Sequence, residues 1–81
     1  MLMNEETEMA KYESQAEAAY ASMYEAAPHN VKDLYEDACL HLAQAIHVAE
    51  RVGLKDEAER LKRRTVEIEA VYNHQFRFVG R

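Results

Sequence analysis

Residues 31–53 read VKDLYEDACLHLAQAIHVAERVG. Within them Val31, Tyr35, Ala38, Leu42, Ala45, Ala49 and Val52 recur every three or four positions. An α-helix turns once in 3.6 residues, so this spacing draws one apolar stripe along a helix and cannot come from a strand. Leu34, Cys39 and Ile46 widen the stripe, while Leu40 and Val48 fall outside it. Asn30 has the chemistry of an N-cap, and Asp33 suits the positive end of the helix dipole. Gly53 follows the last periodic residue, where a C-terminal cap is expected. The stretch predicts a helix over residues 31–52.

The same period runs outward in both directions. Upstream, Met9, Ala16 and Met23 repeat by seven, and Tyr12, Ala19 and Ala26 interleave with them. That predicts a helix over residues 4–26, ended by Pro28 because the residue before a proline avoids the helical region. Downstream, Leu54, Ala58, Leu61, Thr65, Ile68, Tyr72, Phe76 and Val79 predict a helix over residues 55–78. Two glycines and one proline in 81 residues suit long helices with short connections. Matched lengths and short links force antiparallel neighbours. The expected fold is all-α, an antiparallel three-helix bundle running up-down-up, in a single domain over residues 1–81. Leu42, Ile46, Leu61 and Ile68 are the expected centre of its core.

Asp37, Cys39, His41 and His47 place a carboxylate, a thiol and two imidazoles close together in sequence. A helix separates them. At about 100° per residue, Cys39 lies on one edge of the stripe, His41 on the other, and His47 at the back with Glu36, Leu40 and Arg51. Two ligands on one helix face need a spacing of three or four, which no pair among Cys39, His41 and His47 has. Asp37 and His41, four apart, are expected to form a modest surface pair. Cys39 is expected to be buried and inert, beside Leu42 and Ile46. His29 and His74 lie near helix ends and could join a site only through tertiary contacts. No residue three before a histidine is glutamate, so the Glu-x-x-His pattern of di-iron bundles is missing. No glycine-rich phosphate loop is present. The carboxylates Glu13 and Glu17 read as solvated. No cofactor or catalytic group is expected.

Charge is unevenly spread along the chain. Residues 1–27 hold six acids and one base, whereas residues 54–81 hold five acids and seven bases. In an up-down-up bundle the first and third helices run side by side, so the acidic and basic surpluses would meet. The net charge of −5 repels nucleic acid. The basic run Arg60, Lys62, Arg63 and Arg64 fans around its helix, with Asp56, Glu59 and Glu67 nearby as ion-pair partners. No apolar run is long enough to span a membrane, the start lacks the apolar core of a signal peptide, and a single cysteine forms no internal disulfide. A cytoplasmic location is the expectation.

Five tyrosines and two phenylalanines are many for a chain this short. Tyr20 and Tyr24 flank the first stripe, and Val71, Phe76 and Phe78 gather near the end of the third. Tyrosine combines apolar area with a hydrogen-bonding tip and is favoured at interfaces. These five residues are the candidate interface, and a homodimer is the expected assembly.

In size and three-helix plan the chain resembles microtubule-interacting-and-transport domains. Leu34, Tyr35 and Ala38, followed by LKRRTVEIEAVY, are similar to the rhythm of the second and third helices there. That resemblance implies peptide binding in grooves between helices. Residues 24–66, with the turn AAPHN, also resemble part of the flagellar secretion chaperones, and Gly53 and Ala58 match two positions of a tetratricopeptide repeat. The three likenesses share one amphipathic hairpin, and none assigns a family. The functional expectation is a non-enzymatic interaction or self-associating module. The alternative is a small metal- or ligand-binding protein that uses histidines from different helices.

Overall fold

A computed structural model describes residues 5–77. Helix α1 spans Glu5–Met23, α2 spans Pro28–Arg51 and α3 spans Lys55–Val71, and a π-helical turn over Tyr72–Phe76 continues α3. The described residues contain no strand. Side-chain pairs fix the directions. Arg51 at the end of α2 pairs with Glu8 at the start of α1. Glu50 pairs with Lys62, and Tyr35 stacks on Tyr72, so α2 and α3 are antiparallel. Glu13 meets Arg60 and Glu17 meets Arg64, so α1 and α3 run parallel. The bundle is up-down-up, as the three stripes require.

The first connection differs from its sequence reading. α1 stops at Met23, three residues short of the expected end, and Tyr24 and Glu25 donate to the carbonyls of Ala21 and Ser22 in tight turns. α2 starts at Pro28 with Ala27 as an extended N-cap (φ −61°, ψ 146°). Proline fits the first helical position because its fixed φ is already helical and its missing N–H has no partner to lose there. Pro28 therefore starts a helix as well as barring the one before it. Asn30 lies inside the first turn, where its N–H bonds Ala27 O at 2.9 Å, and Asp33 falls beyond that turn.

The second connection follows its sequence reading. Gly53 takes φ 81°, its N–H donates to Glu50 O, and the Leu54 N–H donates to Ala49 O at 2.8 Å. These two bonds are a Schellman cap, and they satisfy carbonyls that the helix end leaves open. A Cβ at position 53 would meet no atom within 4 Å, so the requirement for glycine is the backbone angle and not space.

The core contains Met9, Ala16 and Met23 of α1, Val31, Ala38, Leu42, Ala45, Val48 and Ala49 of α2, and Ala58, Leu61 and Ile68 of α3. Its many alanines remove bulk where helices face one another, so the backbones can approach closely. Leu42, Leu61 and Ile68 are fully buried, as expected, and Met23 joins them. Ile46 is only half-buried and packs against the cluster from its edge. Val48, expected outside, is buried. The cause is that α2 serves two neighbours: α1 covers the Val48 flank while α3 covers the Tyr35 flank. Val52, expected in the stripe, is exposed where the helix ends.

At the far end α3 stays α-helical only to Val71. The π turn then takes over, closed by Arg77 N–H to Tyr72 O at 2.8 Å. Phe78 and Val79 lie outside the described residues.

Candidate functional site

Three of the five candidate interface residues meet within one chain. Because α1 and α3 are parallel, their C-terminal ends are adjacent. Tyr20 and Tyr24 pack edge-on at 5.6 Å, and Tyr24 packs edge-on to Phe76 at 5.0 Å. The two tyrosine hydroxyls are 2.9 Å apart, and that hydrogen bond, followed by burial, raises the Tyr20 pKa. The Arg64 guanidinium sits over the Tyr20 ring at 5.0 Å. Tyr24 remains 53% exposed, Val71 is half-buried, and Phe78 lies outside the described residues. Part of the apolar surface offered by these aromatics is thus used inside the fold.

Cys39 is half-buried, where its sequence position predicts full burial, because it sits at the edge of the stripe on the side of α3. Desolvation still dominates and holds its pKa above the usual thiol value, with Glu69 and Glu36 adding in the same direction and the Tyr35 hydroxyl opposing them. The Tyr35 pKa is pushed up to about 12, first by burial and then by the neighbouring thiol. Tyr35 stacks flat on Tyr72 with ring centres 4.0 Å apart. The site protects the thiol and does not activate it.

The histidines do not assemble. His41 Nδ1 lies 3.0 Å from Gln44 Oε1 and donates to it, so Asp37 is not its partner. His29 lines a concavity with Lys32, Tyr72 and Phe76, His47 lies at the back of α2, and His74 is exposed on the π turn. No group of three His, Cys, Asp or Glu side chains among the described residues is placed to hold a metal ion. No described helix is long and apolar enough to cross a membrane.

The basic run is almost wholly paired. Arg60 donates two bonds to Glu13, at 2.6 and 2.9 Å, and also bonds Glu57. Arg64 donates two to Glu17, both at 2.8 Å, and one to Glu67. Lys62 reaches Glu50 at 2.9 Å and Glu59 at 3.9 Å. Glu13 and Glu17 therefore do more than face solvent: partly exposed, they close the seam between α1 and α3. Hydrogen bonding from Arg60 lowers the Glu13 pKa and outweighs the opposing effect of burial. The signal was present in sequence, since Glu13 and Glu17 share the four-residue spacing of Arg60 and Arg64. What sequence lacks is the register that brings the two pairs together. Arg63 pairs with no described residue.

The outer face of α2 behaves in the opposite way. Asp33, Glu36 and Asp37 are exposed and form no ion pair with any described residue. Leu40 follows them and is 55% exposed. Beyond it a groove of about 270 Å³ runs between α2 and α1, lined by Ala43, Gln44, His47, Val48 and Arg51 with Glu8 and Tyr12. Leu40, Ala43, Gln44 and His47 stand at i, i+3, i+4 and i+7, so Leu40 continues one wall of that groove. A second large apolar side chain, Val66 on α3, is 62% exposed.

Fold and surface together define a small all-helical bundle with its longest helix open along the back. No protein-family model matches the chain, and neither a curated protein nor a solved structure shows significant similarity to it. The likenesses noted at Leu34, Tyr35, Ala38, Gly53 and Ala58 rest on the helical hairpin alone.

Proposed function

We propose that the chain is a non-enzymatic helical interaction module, acting by surface contact with a protein partner or with a second copy of itself. The observation that carries this is Leu40. A leucine more than half exposed, beside a groove with Tyr12 and Ala43 in its walls, stands on a bundle whose core is already closed by Leu42, Leu61 and Ile68. Single exposed apolar residues are ordinary. One that continues the wall of a groove offers a knob and a hole on the same face, which is how helices recognise helices. The Arg60 and Arg64 guanidinia, which could serve phosphate binding elsewhere, are held by four glutamates.

The test is affinity capture from native cells with the unaltered chain and with a Leu40→Asp, Val66→Asp variant shown by circular dichroism to keep its helices. The expected result is a set of proteins, further copies of the chain included, held by the first and lost by the second. Identical sets from both would overturn the reading.

A further inference from the structure

We infer that the back of α2 is a self-complementary surface, on which a second copy of this chain docks its own α2 in antiparallel orientation. This rests on the interaction reading above and names the partner. Charge is ordered along that face. Its N-terminal half carries Asp33, Glu36 and Asp37, and its C-terminal half carries the cation Arg51 and the imidazole His47, with Leu40, Ala43 and Gln44 between, while the exposed Lys32 and Glu50 stand at the edge toward α3. A parallel copy would set acids against acids. An antiparallel copy, related by a twofold axis beside residue 42, sets Asp33 against Arg51, Asp37 against His47, and Leu40 against Gln44. Each pairing occurs twice, as a twofold contact demands. The apolar centre fits the same register, because Leu40 of each copy then faces the groove of the other, beside Ala43, Gln44 and Tyr12.

Two further observations favour this occupant. Asp33 and Asp37 are like charges four residues apart on one helix, which mildly opposes the helix until an opposite charge arrives. They are also unpaired in a molecule whose third helix pairs Arg60, Lys62 and Arg64. Arg51 gives one nitrogen to Glu8 at 3.2 Å, and its half-exposed guanidinium has further donors to offer. From residue 33 to residue 51 the contact would run about 27 Å. One helix against one helix is at the small end of specific interfaces, so the dimer is weak and salt-sensitive.

The experiment is sedimentation equilibrium of the full chain at low salt, from micromolar to millimolar concentration. Four proteins are compared: the unaltered chain, Asp33→Arg, Arg51→Glu, and the double exchange. The unaltered chain is expected to reach twice the mass of one chain. Each single exchange is expected to raise the dissociation constant about tenfold or more, because one reversed charge turns two attractions into two repulsions. The double exchange is expected to recover most of the loss. Recovery is decisive, since the Arg51→Glu change also sets a second carboxylate beside Glu8 within each copy, and that repulsion persists in the double exchange. A single-chain mass throughout overturns this inference and leaves the interaction reading to its capture test. A dimer indifferent to all three exchanges, or not recovered by the double one, also overturns it.

Discussion

The two flanks of α1 are built from different materials. Toward α2 the seam is apolar, with Met9 and Ala16 in one buried cluster with Ala45, Val48 and Ala49 of the facing helix. Toward α3 it is ionic, with Glu13 and Glu17 clasped by Arg60 and Arg64 and Tyr20 lying under Arg64. Burial of apolar area is strong and tolerant of direction, whereas a half-exposed ion pair is weak and demands one geometry. The first seam holds the bundle together. The second closes the flank between α1 and α3 in the register that the packed core sets.

The comparison breaks most visibly in the core. Leu61→Ala or Leu42→Ala removes a fully buried side chain and is expected to cost about 2–4 kcal/mol, a large share of the stability of a small domain. Urea unfolding measures it, and an unchanged midpoint would mean that α3 has another register. Next comes overfilling: Ala45→Leu forces a larger side chain into a position with no exposed surface and is expected to cost about 1–3 kcal/mol. The ionic seam answers more softly. Arg64→Ala is expected to cost about 1 kcal/mol or less, and high salt should shrink the difference from the unaltered chain.

Acid probes the same seam from its other side. The folded Glu13 pKa is lowered from 4.5, so its contribution is present above that value and is lost as pH falls through the lower folded value. The melting temperature of the unaltered chain should therefore fall more steeply below about pH 4.5 than that of Glu13→Gln. Parallel curves would show that the clasp carries no stability. The smallest effect is at Cys39. Half-burial and a raised pKa predict slow labelling by a thiol reagent at neutral pH and faster labelling in denaturant. Equal rates would mean the thiol is open in the native state.

The apolar seam is legible in the sequence because its cause is local. A period of 3.6 residues needs only neighbours along one chain, and it locates three helices and most of the core. Gly53 is legible for the same reason. Pro28 reads most directly as a stop, although its ring serves equally well as a start. Val48 and Ile46 exchange places because burial depends on which flank of α2 each neighbour covers, and a periodic stripe carries no azimuth. The partners of Arg60 and Arg64 need the offset between α1 and α3. Opposite charge predicts that the helices attract, but only the packed core fixes which glutamate meets which arginine. The aromatic cluster reads as surface because Tyr24 and Phe76 lie 52 positions apart, and nothing local shows that they touch.

Gly53 carries one consequence of a different kind, a matter of handedness. At φ 81° the backbone sits in the mirror image of the conformation that L residues prefer. An L-alanine there is strained by about 1 kcal/mol although no neighbouring atom obstructs it. A D-alanine, introduced by chemical synthesis, finds the same angle at its own minimum and restricts the unfolded chain as well. The turn between α2 and α3 is thus a place where reversing a single stereocentre should strengthen the fold, while the ordinary enantiomer of the same residue weakens it.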